Sequence, residues 1–158
     1  MAFAPADMKL TSSAFDHHRS IPSRHAGDGE DVSPPLEWRG APSGTRSFAV
    51  VCVDPDAPLV RSGRIGFVHW LLYDLAADVG RLPEGTSLGV AGRNDFGRSG
   101  YGGPMPPEGH GTHHYYLWIL ALDALLEAGP GLELDAFLAA AEPHLLGMSR
   151  LVGTYRRG

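Results

Sequence analysis

The apolar residues of this chain are confined to short segments that end abruptly at polar residues, glycine or proline. Residues 48–53 are six apolar residues in succession, rich in β-branched types, and the sequence Asp54-Pro55-Asp56-Ala57-Pro58 follows them directly. Residues 67–75 and 115–122 form two further apolar segments of similar length. Segments this short suit β-strands, and an uninterrupted apolar run suits a strand that is buried on both faces. The chain is therefore predicted to be mostly β.

Weaker patterns near the two ends of the chain complete the predicted elements. Residues 8–15 predict an edge strand, and residues 151–155 predict a last strand. Residues 134–141 have a helical pattern, with alanines in the interior and Asp135 as the expected N-cap. Pro143 is expected to interrupt this helix or to begin a second short one. Together these patterns predict a mostly β fold with a short C-terminal helical segment.

Composition limits the size and the class of the protein. The 158 residues fit one domain over residues 1–158, and 43% hydrophobic residues suffice for a core. The net charge of −5 argues against nucleic-acid binding, which relies on clustered lysine and arginine. No apolar run approaches the ~20 residues of a membrane span, and the N-terminal residues do not resemble a signal peptide. We expect a cytoplasmic protein whose single cysteine, Cys52, is buried.

Polar residues with chemical potential lie at or near the ends of the predicted strands. Asp54 emerges directly from segment 48–53, where it could serve a binding site or simply cap a turn. His69 lies in the next strand and by alternation shares a face with Leu71 and Tyr73. A lone histidine there would be interpreted as a packed core residue, but strand ends can converge at one rim of a sheet. Asp54 and His69 are therefore expected near one pocket.

Residues 92–123 are a stretch rich in glycine and proline that runs into an apolar segment and carries His110, His113 and His114. His113 and His114 are adjacent on a predicted strand, so they point to opposite faces and cannot easily share one metal ion. No metal site is expected, and His110 is expected to face solvent. The N–H groups of Gly102-Gly103-Pro104-Met105-Pro106-Pro107 could form a concave site for an anion such as phosphate.

Several segments, taken in order, resemble one protein family. They are Asp28-Gly29-Glu30-Asp31-Val32-Ser33-Pro34-Pro35-Leu36-Glu37-Trp38, Asp54-Pro55-Asp56-Ala57-Pro58, Phe67-Val68-His69-Trp70, Asn94-Asp95-Phe96-Gly97-Arg98-Ser99-Gly100-Tyr101, Gly102-Gly103-Pro104, His113-His114-Tyr115 and Leu151-Val152-Gly153-Thr154-Tyr155. Over nearly the whole chain they resemble the phosphatidylethanolamine-binding protein family, also called Raf-kinase-inhibitor-protein-like. The similarity is to its bacterial branch, the YbhB/YbcL type.

The resemblance implies a β-sandwich-like fold with a large central sheet, a smaller sheet and a helix near the C-terminus. It also implies a small pocket for phosphate-like anions such as a phospholipid head group. By motif, the residues expected to form this pocket are Asp54, His69, Gly103, Pro104, His113 and Tyr115. Asp56 and Pro58 are expected to be structural residues beside it.

Three positions depart from the family pattern. His114 stands where the family motif His-Arg-Tyr has arginine, so a permanent charge becomes one that depends on pH. Met105 and Gly27 occupy positions that are often cysteine in bacterial members, which removes redox chemistry at those positions.

The function implied by the resemblance is the binding of phosphate or a phosphorylated small molecule, without a cofactor and without catalysis. Two alternatives stay open. The first is a small enzyme that uses the aspartate and histidines for general acid–base chemistry on a secondary metabolite. The second is an inhibitor of a kinase or a serine protease. The oligomeric state stays open, with a homodimer among the alternatives because bacterial relatives often pair, and the protein partner is unknown.

Overall fold

The computed structural model describes residues 7–57 and 66–158. The strands in these residues are β1 (Lys9–Thr11), β2 (Arg19–Ser20), β3 (Leu36–Arg39), β4 (Ser47–Asp54), β5 (Phe67–Ala76), β6 (Arg81–Leu82), β7 (Val90–Ala91), β8 (His113–Leu122) and β9 (Leu145–Tyr155). Helix α1 spans Leu134–Ala141, and 3-10 turns cover Ser23–His25 and Glu142–His144. The expected mostly β architecture, with a large sheet, a smaller sheet and a short C-terminal helix, is confirmed.

The large sheet has six strands in the order β2-β9-β8-β4-β5-β7, and the small sheet has three in the order β1-β3-β6. All of these neighbours are antiparallel except β2 and β9, which run parallel. β4 lies between β5 and β8, so the segments that carry Asp54, His69 and His113 are neighbours in space. The predicted convergence of these strand ends follows from that order.

Two apolar clusters pack on opposite faces of the large sheet. In the first, Trp38 of β3 lies on Phe48 of β4, with ring centroids 5.4 Å apart, so this cluster joins the two sheets. In the second, Phe137 of α1 lies on Tyr73 of β5, with ring centroids 5.7 Å apart. β4 contributes residues to both clusters, which confirms that this apolar strand is buried on both faces.

The C-terminal elements differ from prediction in two places. Helix α1 has the predicted bounds, but Glu133 occupies the N-cap position, so the prediction that Asp135 caps the helix is wrong. Asp135 lies in the first turn, where its negative charge suits the helix dipole. Pro143 ends the helix in a 3-10 turn, as predicted. β9 begins at Leu145 and not at residue 151, because β8 offers backbone partners along that whole length.

An irregularity in β5 determines how the site is built. Cys52 pairs with Trp70, whereas the next residue, Val53, pairs with Val68, so His69 is an extra residue on β5. A β-bulge of this kind locally breaks the alternation of side chains and turns one of them toward a different face. Asp74, with a φ of 52°, lies at the second register shift of the same strand.

We predict that Phe137→Ala lowers the free energy of unfolding by about 3–5 kcal/mol, because it leaves a cavity between α1 and the large sheet. Leu138→Ala is the matched control, since the neighbouring Leu138 side chain is 44% exposed and alanine suits a helix. Urea denaturation followed by circular dichroism measures both variants. Equal losses of stability would contradict the packing described for the second cluster.

Candidate functional site

Asp54, the last residue of β4, has a buried carboxylate whose two oxygens each accept a hydrogen bond. Oδ2 accepts a hydrogen bond from Nδ1 of His113 at 2.6 Å, and Oδ1 accepts one from the backbone N–H of Asp56 at 2.8 Å. The bond from Asp56 confirms the turn-capping role considered for Asp54, and its role in binding stays a prediction. The first of these bonds joins the neighbouring strands β4 and β8 at the rim of the sheet.

The contact between Asp54 and His113 continues to the surface. Nε2 of the buried His113 lies 2.7 Å from Nδ1 of His110, in the exposed loop before β8. An ionised carboxylate can only accept, so His113 donates through Nδ1 and, when neutral, accepts a hydrogen bond at Nε2 from His110. His110 is exposed, as expected, but it is also the outer member of a chain of hydrogen bonds. The H-x-x-H spacing of the two histidines was the sequence signal for this contact.

Alternation predicts that His69 shares a face with Leu71 and Tyr73. This prediction is wrong, because the bulge turns the His69 ring toward Tyr115. The two rings meet edge to face with centroids 5.1 Å apart. Nδ1 of His69 donates to the carbonyl of Gly102 at 2.7 Å, and the N–H of Gly102 donates to the carbonyl of His69 at 2.8 Å. This pair of bonds fixes the ring and leaves Nε2 as its second polar atom.

Burial lowers the pKa of His69, and the Gly102 carbonyl and the nearby Asp54 carboxylate only partly offset this effect. The neutral ring is therefore favoured at neutral pH, with an acceptor at Nε2. An anionic ligand would favour the protonated ring instead, in which Nε2 becomes a donor. His69 is thus a group whose charge depends on what lies beside it.

The hydroxyl of Tyr115 is buried and makes no hydrogen bond of standard geometry within the described residues, although the Asp54 carboxylate lies close enough to interact with it. Burial raises the pKa of Tyr115, and the negative charge of Asp54 raises it further, so the hydroxyl keeps its proton. A buried donor without a partner costs about 1–3 kcal/mol. Tyr115 therefore has an O–H beside His69 and Asp54 that would gain from a better-placed acceptor.

The Gly102-Gly103-Pro104 segment lies against His69 and Asp31, and neither of its two N–H groups is free. The N–H of Gly103 donates to Oδ1 of Asp31 at 2.7 Å, and that of Gly102 is used by His69. The prediction of a concave anion site made by these N–H groups is therefore wrong. The signal that would have corrected it, a carboxylate at Asp31, lies far away in the sequence. Pro104 is buried, and its carbonyl accepts from the N–H of Gly27.

His114 points away from His113, as alternation predicts, and contacts Asp56. The Nδ1 atom and the backbone N–H of His114 donate to Oδ2 of Asp56 at 2.7 and 2.8 Å. Partial burial alone would raise the pKa of Asp56, but the hydrogen bonds and charge of His114 hold it below its usual value. His114, which replaces the arginine of the family motif, thus forms an acid–base pair with Asp56. Pro58, the other residue expected to brace the site, lies outside the described residues.

Aromatic rings surround His69, and sequence patterns did not reveal them. Phe67 lies 5.0 Å from the His69 ring, Phe96 lies 5.3 Å from it, and the two phenylalanines are 4.8 Å apart. Phe96 belongs to a polar turn, Asn94-Asp95-Phe96-Gly97, in which a large apolar residue is unusual. That contrast was the available signal.

Two further findings concern residues 7–57 and 66–158. These residues contain no cluster of three or more histidine, cysteine, aspartate or glutamate side chains that could hold a metal ion. They also contain no helix that is long and apolar enough to cross a membrane.

Residues 11–156 match the family model described as phosphatidylethanolamine-binding protein. A UPF0098 protein from Methanothermobacter thermautotrophicus is 41% identical over 161 residues, which cover 96% of this chain and 100% of the relative. The crystal structure of a phosphatidylethanolamine-binding protein homologue from Chlamydia trachomatis has a TM-score of 0.89 and 35% identity, covering 96% of this chain and 98% of the other. YbcL from Escherichia coli has a TM-score of 0.87 and 28% identity, covering 97% and 100%.

The lowered pKa of His69 predicts that stability falls in mild acid. The unfolded chain, with a histidine pKa near 6.5, binds more protons than the folded one below that pH, so stability is lost as the pH decreases. We expect His69→Asn to lose less stability than the parent between about pH 7.5 and about pH 5. Urea denaturation at several pH values measures the slope.

His18→Asn is the control for that experiment. His18 is exposed and has a φ of 66°, a conformation that asparagine tolerates. If this control changed the pH dependence as much as His69→Asn does, burial of His69 would not be its source.

Proposed function

Because this chain belongs to the phosphatidylethanolamine-binding protein family, we propose that it binds a small oxyanion beside Asp54. The ligand is phosphate or the phosphate of a head-group-like molecule. The groups proposed to surround it are the side chains of Asp54, His69, His113 and Tyr115, with Gly103 and Pro104 as the loop wall. The chain acts as a binding protein in this proposal, and the bound anion is its ligand and not a substrate.

The observation that carries the proposal is the buried hydroxyl of Tyr115, which makes no hydrogen bond of standard geometry and lies near the Asp54 carboxylate. Buried donors in folded proteins almost always have a well-placed partner, so this O–H is suited to an acceptor that binds beside Asp54. The oxygen of an oxyanion is such an acceptor. Nε2 of His69 would be a second donor once that ring is protonated, and its position is fixed by the bond from Nδ1 to Gly102.

The carboxylate of Asp54 would repel an anion unless a proton accompanies the ligand. The bond from His113 offsets part of this charge, and two chemical routes remove the rest of the conflict. Either His69, His113 or His110 takes up a proton when the anion binds, or the anion arrives protonated and donates to Asp54. Both routes couple binding to a proton, so we propose that binding tightens in mild acid.

Tyr115→Phe tests the contact directly. We expect this variant to bind phosphate and phosphoethanolamine at least tenfold more weakly in titration calorimetry, since a hydrogen bond to a charged group contributes about 1.5–3 kcal/mol. The same variant should lose little stability, because the Tyr115 hydroxyl makes no hydrogen bond of standard geometry in the free protein. Equal affinity in the two proteins would refute the proposed role of Tyr115.

Tyr101→Phe is the matched control. The Tyr101 hydroxyl donates to the carbonyl of His25 at 2.6 Å, outside the proposed binding site. Its loss should lower stability by about 1 kcal/mol and leave phosphate affinity unchanged. Tyr115→Phe is thus expected to weaken binding with little effect on stability, whereas Tyr101→Phe is expected to lower stability with no effect on binding.

The coupling to protons has its own test. We expect phosphate affinity to increase between about pH 8 and about pH 6, with protons taken up from the buffer. Calorimetry in two buffers of different ionisation enthalpy measures that uptake. His110→Asn should reduce the uptake if the outer histidine shares the proton with His113. If phosphate affinity and proton uptake in His110→Asn equalled those of the parent protein, His110 would not share the proton.

A second candidate function is favoured by the chain of hydrogen bonds from Asp54 through His113 to His110. A carboxylate that orients a histidine is a common arrangement for general acid–base catalysis. In this candidate, the exposed His110 would exchange a proton with a bound substrate. Hydrolysis of p-nitrophenyl phosphate that disappears in His110→Asn would support it, and its absence from the parent would argue against hydrolysis of aryl phosphates.

A further inference from the structure

A second concave surface lies beside the proposed anion site. It is a groove of about 370 Å³ that is lined by Gly27, Asp31, Phe96, Arg98, Gly103 and Met105. Phe96 and Met105 are 39% and 43% exposed, which is high for large apolar side chains. Adjacent exposed apolar side chains in a concave surface are typical of a place that is covered by something else.

Phe96 connects this groove to the anion site. Its ring meets the ring of His69 edge to face at 5.3 Å while also lining the groove. A Cβ at Gly102 would lie 2.3 Å from the Phe96 ring, so the ring rests directly on the backbone that holds His69. Phe96 therefore borders both the His69 ring and the groove.

The exposed Phe96 ring is held by a structured turn and not by a loose loop. The side chain of the buried Asn94 accepts from the N–H groups of Phe96 and Arg98 at 3.0 and 3.3 Å. Its amide group donates to the carbonyl of Gly100 at 3.0 Å. A turn fixed in this way presents the ring to solvent in one orientation, which lowers the entropic cost of binding against it.

The charges in the groove compensate each other. Arg98 pairs with Asp31 at 3.0 Å, and its guanidinium carbon lies 5.3 Å from the centre of the Phe96 ring. Asp31 also accepts from the N–H of Gly103. The lining therefore suits a neutral group, and both the guanidinium plane and the Phe96 ring are good surfaces for a flat one.

We propose that the ligand is a phosphate monoester with a flat, apolar ring, and that this ring lies in the groove against Phe96 and Met105. This inference rests on the proposed function, because the phosphate has to bind beside His69. The volume of the groove lies within the range for small-molecule sites, so one ring fits in it.

Titration calorimetry with inorganic phosphate, methyl phosphate, phenyl phosphate and hexyl phosphate tests the inference. We expect phenyl phosphate to bind about tenfold more tightly than methyl phosphate, because the ring buries apolar surface in the groove. Hexyl phosphate should bind less tightly than phenyl phosphate. The ratio of the phenyl and methyl affinities should fall toward one in Met105→Ser and in Phe96→Ser.

Leu88→Ser is the control, because Leu88 is 45% exposed and is not part of the groove, and the affinity ratio should be unchanged in this variant. Failure of every phosphate compound to bind would overturn the proposed function together with this inference. Binding of inorganic phosphate with a phenyl-to-methyl ratio near one would overturn this inference alone. So would a hexyl phosphate affinity equal to that of phenyl phosphate, or a ratio that Met105→Ser and Phe96→Ser leave unchanged.

Discussion

The hydrogen bond between Asp54 and His113 is the contact on which the rest of the site depends. A buried carboxylate is costly unless it is paired, and breaking such a pair costs about 3–5 kcal/mol. Here the pair also joins β4 to β8 where both strands reach the rim of the sheet. Because the carboxylate holds Nδ1 of His113, Nε2 must point toward His110. This one hydrogen bond therefore stabilises the rim of the sheet and orients the His113 ring toward His110.

The bulge at His69 brings a further side chain to the same rim of the sheet. In a regular strand, His69 would face the second apolar cluster with Leu71, and the ring could not meet Tyr115. The extra residue instead turns the ring to the side of Asp54, and the bonds with Gly102 fix it there. The bulge in β5 therefore allows the side chains of Asp54, His69 and Tyr115 to lie close together. The aromatic ring of Phe96 then extends the same surface outward.

Regular backbone geometry made part of this structure predictable. The short apolar segments predicted the central strands, and alternation placed His113 and His114 on opposite faces, because both depend only on neighbouring residues. The direction of His69 could not be predicted, since a bulge is defined by the pairing partner. The N–H groups of Gly103 and Gly102 could not be assigned either, because their acceptors lie on distant segments. Local sequence likewise did not show that β9 would extend to Leu145.

The position of β9 has a consequence for the order of events during synthesis. β9 lies between β8 and β2, and Arg19 and Ser20 pair with Gly153 and Thr154. The backbone of β2 therefore has no partner in the large sheet until almost all of the described chain has left the ribosome. A pairing that joins such distant segments forms slowly, because a long loop has to close first. Until then, the nascent chain carries an open strand edge along β8, at which it is most exposed to wrong partners.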